Sequence, residues 1–279
     1  MGPAAAGQRV SKLSVAEGPA FLRLMKRYVV EYTNAHNQAL TKDIMEPDYQ
    51  LQMGGHRISG RDGAYAEATR RQLDQFPGLG LTVHEIWTSG ERLAMRFSEH
   101  GASRRHNGNR AAWGGIGLYR WNGRKLTSNM VEQDYFSRAT QLASGVAYPV
   151  ETPATAPWDT IAAAPDGEVE EVTRRWLGEG LLEATPGVLC DDAWHLGREL
   201  GLVDQEGIEI NDLFSCGDVA AFHATQTGKL ARQLGEVPAD GTLVRLHMAG
   251  IVRIDHGAVA EGRVIRNRLD LIRSVNQRT

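Results

Sequence analysis

Cysteine is scarce: Cys190 and Cys216 are the only two. A disulfide framework and a cysteine-rich zinc site are excluded, and a reduced, cytoplasmic protein is the expectation. No stretch approaches the roughly 18 consecutive apolar residues of a membrane span, so no membrane partner is expected. The opening residues MGPAAAGQRVSKLS lack the apolar segment of a secretory signal and read as a flexible tail over 1–14. An excess of one charge is lacking too. Lys plus Arg is 31 and Asp plus Glu is 34, a net charge of −3, which argues against a nucleic-acid partner. Cofactor signatures are also missing. Gly78-Leu79-Gly80 lacks the third glycine and following helix of a dinucleotide site, and no Walker A sequence occurs. His84-Glu85 opens like a zinc-binding H-E-x-x-H, but position 88 is Thr. There is no G-x-S-x-G elbow. No cofactor and no metal are therefore expected.

What is present is an ordinary globular chain, 42% hydrophobic and 23% charged, and 279 residues suggest about two domains. Residues 144–167 carry prolines at 149, 153, 157 and 165 among small residues. Proline fixes φ and removes a donor, so this segment reads as a linker. Trp158 within it is large enough to pack back on a domain. The two sides of the linker are alike. LTVHEIWTSGERLAMRFSEHG at 81–101 matches IEINDLFSCGDVAAFHATQTG at 208–228. Each is an alternating strand, a Gly-acid turn (Gly90-Glu91, Gly217-Asp218) and a further alternating strand. The stretches 113–136 and 247–272 match in the same way, with turns at Asn122-Gly123 and His256-Gly257.

Each side also opens with a helix. Phe21, Met25, Tyr28, Val29 and Tyr32 recur at helical spacing, after a Ser14/Glu17 capping box. Val169, Val172, Trp176 and Leu177 repeat the pattern. A further helix over about 61–75 stops at Phe76-Pro77-Gly78. Helices followed by an antiparallel meander predict an α+β fold. The expected division is a domain at 15–143, the linker at 144–167 and a second domain at 168–279. The second is shorter by about one helix before its first long strand, which favours the first as the working site.

Both halves resemble the NTF2-like superfamily, and the first resembles its SnoaL-like, polyketide cyclase-like branch. The matching residues are Gly60-Arg61, Phe76-Pro77-Gly78, Gly90 to Phe97, Trp121 to Leu126, Glu132-Gln133-Asp134 and Gln141-Leu142. The chain departs from the branch at Gly101 to His106, where family members often carry Gly-Thr-His. The resemblance implies two tandem cone-shaped barrels, each a curved sheet wrapped around helices with an apolar pocket. It also implies a small hydrophobic substrate, and an internal pseudo-dimer, alone or within a homo-oligomer. A weaker likeness, carried by Ala112 to Tyr119 and Val131 to Tyr135, is to NTF2-like lyases that release formaldehyde from lignin-derived diaryl compounds.

The resemblance points to Asp134 as the acid-base group. Strand alternation puts Glu132 on the same face. The alternative for Asp134 is a helix cap or a pair with Arg138. Asp48 and Tyr49 fall in a segment that, by the resemblance, lines the pocket mouth; a turn Asp after Pro47 is the other reading. His56, after two glycines, could carry protons near neutral pH or simply be exposed. The strand Leu93 to His100 has two faces, one of Leu, Met, Phe and Glu, the other of Ala, Arg, Ser and His. If the Ala-Arg-Ser-His face lines the cone, Arg96 and His100 become pocket residues; otherwise they face the contact between domains. Trp87 and Trp113, with Tyr32 on the first helix, could bind an aromatic ligand or belong to the core. The expected chemistry is a cofactor-independent lyase, with a cyclase, isomerase or dehydratase, or a non-catalytic binding protein, as alternatives.

Overall fold

The computed structural model describes residues 19–182, 184–192 and 201–277. The expected tail and its capping box lie outside them. Helix α1 (Ala20–Lys26) starts directly after Pro19 and runs on as a π-helical segment, Arg27–Asn34. A short helix α2 (Thr41–Ile44) leads into strand β1 (Met45–Met53), which turns back into β2 (His56–Ser59). A π-helical turn at Gly60–Tyr65 enters α3 (Ala66–Gln75). The long strands follow: β3 (Gly80–Thr88), β4 (Arg92–Ala102), β5 (Arg110–Trp121) and β6 (Leu126–Gln133), closed by α4 (Tyr135–Ser144).

The second half begins with α5 (Gly167–Gly178). Then come β7 (Val188–Cys190), β8 (Val203–Cys216), β9 (Val219–Leu230), β10 (Leu243–Asp255), β11 (Ala258–Arg266) and α6 (Arg268–Asn276). The sheets have the orders β2-β1-β6-β5-β4-β3 and β7-β11-β10-β9-β8. In both, the first strand pairs parallel with the last strand, and the remaining pairs are antiparallel. The second sheet thus repeats the first without β2. Each half is α+β, a mixed sheet packed on helices, as expected. The turns follow their sequence signals: His256 and Gly257 both take positive φ, 48° and 75°, which is the twist a tight hairpin needs.

Alternation sorts each strand into two faces. Leu93, Met95 and Phe97 turn inward and join Phe21, Met25, Tyr119 and Val131 in the first core. Ala94, Ile116 and Leu118 turn outward and pack with Phe214, Cys216, Ala221 and Ile251 of the second half. The two sheets therefore meet through their outer faces, and each fully buried large side chain there contributes about 1.5–3 kcal/mol. Across this contact, Arg120 bonds Asp212 at 2.9 Å, and Arg92 joins the same carboxylate.

The proline-rich segment does not hang free. Ala154 and Ala163 donate backbone hydrogen bonds to Val83 and Thr88, at 2.9 and 3.0 Å. They cover the open edge of β3, which would otherwise present unpaired backbone groups. Trp158 packs against the first core. Glu151 bridges Arg96 of the first half and Arg263 of the second, the latter at 2.6 Å.

Candidate functional site

A cavity of about 440 Å³ opens in the first half, between α3 and the inner face of its sheet. Phe97, Leu81, Val131, Leu51 and Ile58 give it apolar walls, with tyrosines Tyr28, Tyr65, Tyr119 and Tyr135 among them. Part of the rim comes from the other half, through Asn267 and the α6 residues Leu269, Asp270 and Arg273.

One buried carboxyl faces this space. Glu99 follows Leu93, Met95 and Phe97 on the inward row of β4 and is only 7% exposed. The Gln72 amide of α3 donates to Glu99 Oε2 at 2.6 Å. Trp113 sits opposite Glu99 in the β4–β5 register and donates its indole N–H to Gln133 at 2.7 Å. Burial pushes the Glu99 pKa up to about 7. The Arg138 charge, the Gln72 amide and the Trp113 indole offset part of that push. A carboxyl with a pKa near 7 can give or take a proton at neutral pH, which is what general acid-base chemistry needs.

The surrounding phenols are held neutral. Burial raises Tyr28, Tyr65, Tyr119 and Tyr135 above the ordinary tyrosine pKa. They remain hydrogen-bond donors that stay protonated beside Glu99. Tyr32 Oη bonds Tyr65 Oη and Thr69 Oγ1, both at 3.2 Å, behind the cavity wall. Space for two of the aromatic rings comes from glycine. A Cβ on Gly115 would lie 2.5 Å from the Phe97 ring, and one on Gly117 2.8 Å from the Tyr119 ring.

Of the residues singled out in sequence, the structure brings few to this cavity. His56 is at its mouth, exposed, 3.4 Å from Asp270. Trp113 lies beneath Glu99, with its ring 5.1 Å from Phe76. Tyr49 is buried with its ring edge against Tyr65, at 5.2 Å, and Asp48 is exposed on β1 away from the cavity. Asp134 is also elsewhere. Its carboxylate caps α4, accepting from the Ser137 N–H at 3.0 Å and hydroxyl at 2.7 Å. It pairs with Arg268 at 2.8 Å and accepts from the Asp192 N–H at 2.9 Å. Its partner is therefore Arg268 of the second half, where local spacing suggests Arg138.

Glu132 does not share the cavity face either. Asn129, Val131 and Gln133 turn inward on β6, so Glu132 turns outward. There it bonds His223 Nε2 at 2.8 Å, the Gly54 N–H at 2.8 Å and the Asn267 amide at 2.7 Å. The same parity settles the two faces of β4. Arg96 lies outside, on Glu85 at 2.6 Å and on Glu151. His100 lies outside too, near Thr82 Oγ1 at 3.3 Å. Trp87 packs between the sheets, with Arg253 5.4 Å over its ring. Sequence reasoning misses Glu99, Gln72 and Arg138. The available signal is an acid ending an otherwise apolar inward row.

Among the described residues, no cluster of His, Cys, Asp or Glu could hold a metal, and no helix is long and apolar enough to cross a membrane. Residues 25–129 match the SnoaL-like domain model. That match lies wholly within the first half of the chain, which is thus similar to SnoaL-like domains. No curated protein matches the chain.

Several solved structures are similar to it. IdmH of Streptomyces antibioticus, provisionally assigned as a polyketide cyclase, is 16% identical; the match covers 43% of this chain and 96% of that one, with a TM-score of 0.39. A SnoaL-like protein of Jannaschia sp. CCS1 with the same provisional assignment is 15% identical over 46% and 92%, at 0.41. An LEH-like epoxide hydrolase of M. tuberculosis is 15% identical over 47% and 89%, at 0.40.

Proposed function

We propose that this protein is a cofactor-independent acid-base enzyme acting on a small, largely aromatic molecule, with Glu99 as the group that moves the proton. The observation that carries this is a single buried carboxyl, poised near neutrality, in an apolar cavity lined with neutral phenols. Burying a carboxyl costs stability, and proton transfer near neutral pH gives that cost a use. The similarity to SnoaL-like domains supports cyclase or isomerase chemistry on small molecules. In that mode the Glu99 carboxylate removes a proton beside a carbonyl while a neutral tyrosine donates to the oxygen where charge develops.

The finer reading is a lyase that releases formaldehyde from a diaryl diol. Protonated Glu99 donates to the benzylic hydroxyl, which leaves as water. The carboxylate so formed takes the proton of the hydroxymethyl O–H. The carbon–carbon bond breaks, formaldehyde departs and the electron pair of that bond closes the new double bond. One proton is given and one regained, so a single carboxyl with a pKa near 7 suffices. In this scheme the second half works as a built-in partner, docked by its outer sheet face as a pseudo-dimer subunit.

The test is to incubate the purified protein with diaryl diols and polycyclic ketones and to read product masses. Loss of water plus formaldehyde establishes the lyase, and unchanged mass with altered retention an isomerase or cyclase. No turnover of any substrate by wild type, or equal turnover by Glu99→Gln, overturns the role of Glu99.

A further inference from the structure

Positive charge gathers at the mouth of the cavity. Arg105 enters from the β4–β5 connection, Arg138 from α4 and Arg273 from α6 of the second half. Among the described residues, none of the three has a carboxylate within the 4 Å of an ion pair. The other acids nearby are otherwise engaged. Asp270 accepts from the Gly55 N–H at 3.0 Å and faces His56, and Glu99 is held by Gln72.

Arg138 is also set in place by three rings. Its guanidinium carbon stands 3.9 Å over Tyr135, 5.0 Å from the Trp113 centroid and 5.6 Å from that of Phe76. Stacking fixes the plane of a guanidinium and leaves its N–H edge for a carboxylate. Burial is the main push that lowers the Arg138 pKa; the Glu99 charge opposes it, and the Arg273 charge adds to it. When Glu99 is protonated, the two guanidinium charges repel each other, and an anion bound between them relieves that repulsion.

We propose that the substrate is an aromatic carboxylic acid: the ring enters the cavity beside Glu99, and the carboxylate is gripped at the mouth by Arg138 and Arg273, with Arg105 adding charge. This rests on the acid-base reading above and names its substrate class. It gives the second half a defined part, because α6 supplies Arg273 and the wall residue Leu269. The carboxylate orients the ring and takes no part in bond making.

The probes are 2-naphthoic acid and its neutral isostere 2-naphthamide, titrated into the full-length protein by calorimetry at pH 6. There the probe acid is ionised and Glu99 is mostly neutral. The acid is expected to bind about tenfold more tightly than the amide at low salt, with the gap narrowing as ionic strength rises. Arg273→Gln, an exposed position, should remove most of that gap and leave amide affinity unchanged; Arg105→Gln should remove less. Equal binding of acid and amide by wild type overturns the anion site while leaving the cavity reading intact. So does an undiminished gap in the Arg273→Gln, Arg105→Gln double variant. Failure of both probes to bind overturns both readings.

Discussion

The amide of Gln72 and the carboxyl of Glu99 meet at 2.6 Å, joining α3 to the inner face of β4. Because Gln72 donates, it favours the ionised form of Glu99 and restrains the rise that burial causes. Gln72→Leu should therefore move to higher pH the limb of the kcat/KM–pH profile that Glu99 sets, the acidic limb where its carboxylate starts the reaction and the alkaline limb where its protonated form does. Gln72→Glu, which loses this donor and adds a second acid, should move it the same way. An unmoved limb in both variants would separate that limb from Glu99.

Glu99→Gln should lower turnover by at least about a hundredfold, the usual worth of a positioned acid or base. Near-wild-type turnover on the substrate found by mass analysis would remove Glu99 from the chemistry.

The same carboxyl makes stability depend on pH. Its folded pKa is raised from 4.5 to about 7, so the folded state holds the proton more tightly than the unfolded one. That contribution is fully present below the unfolded pKa and is lost as pH rises through about 7. The loss is about 3 kcal/mol at full effect. Urea midpoints of wild type should fall between pH 4.5 and 7.5 more steeply than those of Glu99→Gln. Parallel curves would show that Glu99 is better solvated than its 7% exposure indicates.

Asp134→Ala should behave differently. It takes away one of the two buried carboxylates that pair with Arg268, itself 2% exposed, the other being Asp191 at 3.2 Å, and removes the cap of α4. Breaking a buried pair costs about 3–5 kcal/mol, so the melting temperature should drop sharply. Turnover per folded molecule, measured well below the melting range, should stay within a few-fold. A hundredfold loss of turnover with unchanged melting would instead return Asp134 to the chemistry.

Gly115→Ala tests the shape of the cavity. The new methyl would stand 2.5 Å from the Phe97 ring, which must swing toward the cavity. Affinity for 2-naphthamide should fall about tenfold or more, one buried contact's worth of packing. Unchanged affinity would place the ligand away from Phe97.

Much of the fold was legible because strands alternate and turns carry Gly, Asn and Asp. Gly90, Asn122-Gly123 and Gly217 all mark the hairpins that the structure contains. The π-helical run Arg27–Asn34 was not legible, since its periodicity differs little from an α-helix over two turns. The site was harder to read. Parity along β4 groups Leu93, Met95, Phe97 and Glu99 correctly, but sequence alone does not say which group faces in, because both faces are buried. Glu132 and Asp134 lie together in sequence and near one interface in space, yet one turns outward and the other caps a helix. The partners that occupy them, His223 and Arg268, are far along the chain. No local pattern shows a carboxylate already satisfied by a distant half.

The wall built from Leu269, Asp270 and Arg273 has a consequence for synthesis. Translation is vectorial, so these residues leave the ribosome long after the cavity's other walls. A nascent first half can fold its sheet but holds a cavity still lacking one side. Closure of the cavity therefore waits for the last helix to dock and is tied to completion of the second half. A chain interrupted between the halves would carry Glu99 in a cavity missing one wall.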